Sequence, residues 1–182
     1  RLEGAPVRLA YLGRLAANKG LDLLLKALPG ARRAVPITVD IWGGGSEEES
    51  LRSLAASLPL AESVQFCGRY PSGDEFARLL CSYDGLILPS TGLEGLPLIL
   101  LESMAYGVPF LTTRVGAIGD CCIDNPDSIL VEPTLEGIEA GIQLFAKGIV
   151  DSDYSTERLI SFYQRNFSRD AMAARWNSML LA

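Results

Sequence analysis

The stretch DGLILPSTGLEGLPLILLESMAYGVPFLTT, residues 84–113, decides the fold. DGLILPS (84–90) is apolar almost throughout, as a parallel strand covered on both faces must be. PLILLESMAYG (97–107) has Pro97 in its first turn and Gly107 at its end, the usual asymmetry of helix termini. VPFLTT (108–113) then reads as the next strand. Strand, helix and strand in this order form a parallel unit. One residue resists that reading. Glu102 sits among apolar neighbours, and a buried carboxylate is costly unless it is paired or hydrogen-bonded.

The alternation extends in both directions. VRLAYL (7–12), ITVDIW (37–42), SVQFCG (63–68) and SILVEP (128–133) read as strands. LDLLLKAL (21–28) places Leu21, Leu24, Leu25 and Leu28 at helical spacing, and Pro29 with Gly30 is expected to end or break that helix. GGGSEEESLRSLAASL (43–58) reads as a glycine turn feeding a helix, with Ser46 as N-cap and glutamates suiting the helix dipole. SGDEFARLLCSY (72–83) is a short helix, and the chain is helical in three stretches from residue 135 onward. No internal repeat or low-complexity tract appears. The order predicts an α/β fold: a doubly wound, Rossmann-like parallel sheet of about six strands.

Length and composition agree. The 182 residues suit one domain, and with 48% apolar residues the chain can build a core. The first four residues, RLEG, read as a linker remnant or an expression scar. The start is not a signal peptide, and no apolar run approaches the length of a membrane span. The net charge of −6 argues against nucleic acid or an anionic membrane as the main partner. Residues 1–36 carry seven Lys/Arg against two Asp/Glu, and the rest carries nine against twenty. An anionic ligand is therefore expected near the N-terminal part. The chain has no histidine, and Cys67, Cys81, Cys121 and Cys122 lack paired metal-ligand spacing. A zinc site, a disulfide framework and histidine-based catalysis are all disfavoured, and reduced thiols suit a cytoplasmic location.

In doubly wound sheets, ligands bind beyond the carboxyl ends of the strands. GRLAANKG (13–20) follows the first strand and offers Arg14 and Lys19 beside a helix N-terminus, a combination suited to phosphate. Taken singly, these are also ordinary solvated loop cations. GGG (43–45) lacks the spacing of a dinucleotide fingerprint and reads best as a plain turn. In STGLEGLPLILLE (90–102), the N–H groups of Leu98 and Ile99 are free at a helix start. Glu94 precedes them, and Glu102 lies ~7.5 Å beyond Pro97 along the axis. Two carboxylates flanking an anion site make sense if one accepts hydroxyl hydrogen bonds from a sugar and the other from a ribose; taken alone, Glu102 reads equally as a charge on a solvated face.

The segments GRLAANKG, IWGGGSEE, VQFCGRY, DGLILPS, EGLPLILLESMAYGVPFLTT and VGAIGD occur in an order that resembles family 4, or group 1, glycosyltransferases of GT-B fold. The similarity is to their C-terminal, nucleotide-sugar-binding domain. Its most specific part is the pair of glutamates separated by seven residues.

The resemblance implies roles. Arg14 and Lys19 would bind the donor's diphosphate, which Gly13 would let approach the backbone. Glu94 would hold the transferred sugar and Glu102 the ribose. The main chain at Arg69 and Tyr70 would meet the base, and the amides of Leu98 and Ile99 the phosphate. Arg14, Lys19 and Glu94 would be the catalytic set, with no metal and no cofactor beyond the donor itself. The resemblance further implies retention of anomeric configuration and a saccharide or lipid-linked acceptor held by an N-terminal domain absent from residues 1–182. That domain could also attach the protein peripherally to a membrane. Pro97, Ala117, Asp120 and Trp42 depart from the common pattern, which bears on the identity of the donor sugar. A sugar-nucleotide epimerase of the same architecture and a non-catalytic nucleotide-sugar-binding module are the alternatives.

Overall fold

A computed structural model describes residues 4–60 and 62–180 of the chain. The reading of RLEG falls largely on residues outside this range, as does the expected end of the last helix at 181–182. The six expected strands form: β1 (Val7–Leu12), β2 (Ile37–Trp42), β3 (Val64–Gly68), β4 (Gly85–Leu88), β5 (Phe110–Thr113) and β6 (Ser128–Val131). All neighbouring pairs are parallel, in the order β3-β2-β1-β4-β5-β6. This is the doubly wound order, and it reverses between β1 and β4.

Among the described residues seven α-helices connect and follow the strands: α1 (Leu21–Ala31), α2 (Glu48–Ser57), α3 (Asp74–Leu80), α4 (Leu98–Ala105), α5 (Leu135–Asp151), α6 (Thr156–Asn166) and α7 (Arg169–Leu180). Helix α1 packs against α2 and α5, α4 against α6, and α6 against α7. Every residue of β4 and β5 is buried, so helices cover both faces there. The largest fully buried side chains are Tyr11, Phe110 and Phe145.

Three local expectations need correction. Helix α1 does not stop at Pro29 but runs through it to Ala31. The proline lies in the last turns, where its missing N–H forfeits a single bond. The end is held instead by tertiary packing: Leu28, Gly30 and Ala31 are buried, and Gln143 Nε2 of α5 donates to the Gly30 carbonyl at 3.3 Å. Ser46 does not cap α2, which begins at Glu48 without a side-chain cap. The Leu15 carbonyl accepts the Glu47 amide at 3.0 Å, so a neighbouring loop takes over the capping role. Finally, Pro97 is the N-cap residue of α4 rather than part of its first turn.

One buried carboxylate helps to fasten the start of α6 to the sheet. Asp127, fully buried just before β6, accepts from the Ser155 amide at 2.7 Å and from Arg158 Nε at 2.7 Å. The first bond satisfies a donor at the start of α6, and the second is charge-assisted. Arg158→Met should therefore destabilise the chain by about 3 kcal/mol, because it strands a buried charge. Urea denaturation measures this. A loss under about 1 kcal/mol would mean that water hydrates Asp127 adequately.

Candidate functional site

The crevice at the β1/β4 reversal is built by two loops that bond to each other. Leaving β1, the chain passes Gly13 and Arg14 and makes a short 3-10 turn, Ala17–Lys19, before α1. Leaving β4, it passes Pro89 and Ser90 toward α4. The amides of Thr91 and Gly92 both donate to the Asn18 carbonyl, at 2.9 and 3.1 Å. This contact sets Lys19 opposite Glu94. Their side chains form an ion pair, each only 13–14% exposed. Ser90, fully buried, adds its Oγ to Glu94 Oε1 at 3.2 Å. Thr113, at the end of β5, in turn donates to the Ser90 carbonyl.

The backbone of Glu94 is held from the other side. Its carbonyl accepts the Ala117 amide at 3.1 Å. Gly116 has φ of +53°, and a Cβ there would lie 1.9 Å from that carbonyl oxygen. Only glycine permits such an approach. The loop VGAIGD, which forms a 3-10 turn over Gly116–Cys121, thus acts as a brace for Glu94.

Beside the pair lies a cleft of about 270 Å³ lined by Gly13, Arg14, Gly43, Gly44, Arg69 and Tyr70. Four residues singled out from sequence therefore share one cavity. Lys19 and Glu94 do not line it, because each is turned to the other. The guanidinium of Arg14 makes no hydrogen bond or ion pair with any described residue. Its main chain is fixed, since Tyr11 Oη donates to the Arg14 carbonyl at 2.6 Å. The glycines at 43–45 are more than a plain turn. Gly43 has φ of +132° and sits so close to the Gly13 carbonyl that a Cβ would overlap it at 1.8 Å. The β2 loop thereby forms the cleft wall directly against the β1 loop.

At the start of α4, the Leu98 and Ile99 amides have no acceptor among the described residues, whereas Leu100 N donates to the Pro97 carbonyl at 3.0 Å. Glu102 is half-buried in α4, and its side-chain carboxylate has no hydrogen-bond or ion-pair partner among the described residues. Burial pushes its carboxyl above the ordinary range. The structure so answers the difficulty posed by Glu102: it is neither paired nor fully solvated, but an acceptor without a donor. Trp42, large for a strand end, donates its Nε1 to Tyr83 Oη at 2.8 Å, and that hydroxyl donates to Asp40 at 2.7 Å. The indole thus joins a hydrogen-bond chain with Tyr83 and Asp40.

Sequence reading missed Ser90, Thr113 and Gly116, which position Glu94. Their signal is tertiary, arising where β4, β5 and the following loop converge. All four cysteines are free, and burial pushes the Cys121 thiol up to about 12. Among the described residues no three His, Cys, Asp or Glu side chains gather as a metal-binding group. No helix among them is long and apolar enough to cross a membrane.

A family model described as glycosyl transferases group 1 matches residues 6–147. The chain belongs to that family. It is 36% identical over 130 residues to a GDP-mannose-dependent alpha-(1-6)-phosphatidylinositol monomannoside mannosyltransferase of Mycolicibacterium smegmatis, covering 68% of this chain and 34% of that protein. It is 29% identical over 159 residues to a glycogen synthase of Mycobacterium tuberculosis, covering 87% and 37%. Among solved structures, Anabaena HepE in complex with UDP superposes with a TM-score of 0.81 at 17% identity, covering 96% of this chain and 48% of that one. At such identity the likeness concerns fold alone. This group 1 chain thus spans about a third of these curated relatives and about half of that structural neighbour.

The brace on Glu94 is testable. Gly116→Ala forces an L-residue into left-handed backbone, which alone costs about 1–2 kcal/mol, and adds overlap with the Glu94 carbonyl. Chemical denaturation should show at least that loss. An unchanged midpoint and slope would mean that the loop does not hold Glu94.

Proposed function

We propose that this chain is the donor-binding half of a retaining glycosyltransferase that uses a nucleoside-diphosphate sugar. The observation that carries the reading is the crevice at the β1/β4 reversal. The loops there carry a free Arg14 guanidinium and an engaged Lys19–Glu94 pair beyond β1 and β4, and the helix that follows β4 offers two amides without acceptors at its start and an unpartnered Glu102 carboxylate. Two cations and a helix N-terminus suit a diphosphate. Carboxylates on either side suit hydroxyls. HepE, of like fold, was solved with UDP, and the mycobacterial relative is named for GDP-mannose, which fits a donor of this class without fixing the base.

The chemistry follows from charge. Transfer breaks the bond between the anomeric carbon and the β-phosphate oxygen, and negative charge grows on the departing diphosphate. Arg14, Lys19 and the amides of Leu98 and Ile99 stabilise that charge, most effectively where water is excluded. The acceptor hydroxyl attacks from the same face as the leaving group. It forms the new carbon–oxygen bond and passes its proton to the departing phosphate, so the configuration is retained. Glu94 orients the sugar, Glu102 holds the ribose, and Gly13, Arg69 and Tyr70 shape the place of the diphosphate and base. The acceptor, saccharide or lipid-linked, is held by a second domain outside residues 1–182. A cytoplasmic setting belongs to the same reading.

A thermal-shift and calorimetric series with uridine, guanosine and adenosine diphosphates tests this. At 100 times its dissociation constant, the right nucleotide should stabilise the chain by about 2.7 kcal/mol, with affinity unchanged by EDTA. No shift at millimolar nucleotide would refute donor binding, and a large loss with EDTA would refute metal independence.

Glu102 supplies a pH test. Its carboxyl titrates above the ordinary range in the free chain, and hydroxyl donors favour the charged form. Bound Glu102 should therefore titrate lower than free Glu102. Affinity is then full above the raised free value and falls as acidification passes through it, with a proton released on binding. Glu102→Gln should flatten that profile. Glu102→Ala should weaken bare diphosphate binding by about tenfold to a hundredfold, the worth of a charge-assisted hydrogen bond. A wild-type acid profile identical to that of Glu102→Gln would remove the ribose from Glu102.

A further inference from the structure

The Lys19–Glu94 pair joins two groups that the proposed donor would use separately: the ammonium for phosphate and the carboxylate for sugar. We propose that this pair is a selectivity latch, through which the site favours the intact donor over the bare nucleoside diphosphate left after transfer. The inference rests on the function proposed above, and concerns what each ligand does to a pair already closed.

Both side chains are largely withdrawn from water, at 13% and 14% exposure. Neither lines the adjoining cleft, whereas Arg14 does and has no competing partner. A diphosphate entering the cleft therefore meets Arg14 first. Lys19 does not line the cleft, so recruiting it as well means drawing the ammonium toward the cleft and away from Glu94. The carboxylate cannot follow. Its main chain is fixed by the Ala117 amide and by the close approach of Gly116, and its side chain is tethered by the buried Ser90. What remains is a poorly solvated carboxylate holding a single neutral donor, close to an arriving anion. Leaving one member of such a pair uncompensated is strongly unfavourable.

The two ligands differ at this point. A diphosphate sugar brings hydroxyl donors that replace the ammonium at Glu94, so both members of the broken pair are satisfied. The bare diphosphate brings none. The exchange is complete with donor and incomplete with product. Glu94 thus serves the sugar by attraction and opposes the product by its own unmet charge, the two-sided means by which specificity is commonly achieved.

Glu94→Gln is the decisive variant, since it keeps size and hydrogen-bonding capacity but removes the charge. Calorimetry with UDP, UDP-glucose, GDP and GDP-mannose on wild type and variant gives the ratio of bare-nucleotide to nucleotide-sugar dissociation constants. The variant should bind the bare diphosphate more tightly, by about tenfold, and the sugar form no better than wild type, so the ratio collapses. Equal or weaker binding of bare diphosphate by Glu94→Gln overturns the latch while leaving nucleotide binding intact. Failure of every nucleotide to bind wild type overturns both the latch and the function on which it rests.

A second measurement needs no variant at residue 94. The chain has three lysines, Lys19, Lys26 and Lys147, so the Lys19 side-chain nitrogen resonance can be assigned with Lys19→Gln. Saturating bare diphosphate should shift it as the ammonium changes partner. An unmoved resonance with nucleotide bound shows that the pair stays closed, which also overturns the proposal.

Discussion

One carbonyl oxygen joins the loops of the two halves of the doubly wound sheet at the carboxyl ends of β1 and β4. Asn18, in the loop after β1, accepts the amides of both Thr91 and Gly92, in the loop after β4. Strands β1 and β4 are neighbours, but the sheet order runs away from them in opposite directions. The loops leaving them would otherwise part. Their junction makes Lys19 and Glu94, 75 residues apart in sequence, near neighbours. Everything proposed for the site depends on that closure.

Around this junction the backbone does most of the positioning. Gly43 against the Gly13 carbonyl and Gly116 against the Glu94 carbonyl each bring main chain to a distance that a Cβ would forbid. The side chains left to meet the proposed donor are then few. Arg14 stands unengaged, and Glu102 waits for a donor with its carboxyl raised by burial. A site of this kind stores its recognition in groups whose hydrogen-bonding capacity is unmet until ligand arrives. Burial makes leaving them unmet costly, and that cost is what a ligand relieves.

The fold was largely legible because hydrophobic period and helix-end chemistry are local. The all-apolar GLIL of β4 marks a strand covered on both faces, and Pro97 with Gly107 bounds α4 to within two residues. Where sequence misled, a distant contact had replaced a local rule. Packing on α5 carried α1 through Pro29, and the Leu15 carbonyl did the work expected of Ser46. At the site, residue types could suggest phosphate and hydroxyl chemistry for Arg14, Lys19, Glu94 and Glu102. The closed Lys19–Glu94 pair, and the role of Ser90 and Gly116 in fixing it, could not be read, because they arise only when three strand ends converge. GGG at 43–45 looked like a plain turn since its partner, Gly13, lies thirty residues away.

The crevice at the β1/β4 reversal is proposed to hold a nucleoside diphosphate by Arg14, Lys19 and the start of α4. A crystal structure of the chain with the nucleoside diphosphate that gives the largest thermal shift tests it most directly. Phosphate oxygens should lie within about 3 Å of Arg14 and of the Leu98 or Ile99 amides, with a ribose hydroxyl on Glu102. A nucleotide lodged instead in the roughly 380 Å³ cavity lined by Cys81, Tyr106 and Tyr154, beside the opposite ends of β4 and β5, would contradict it.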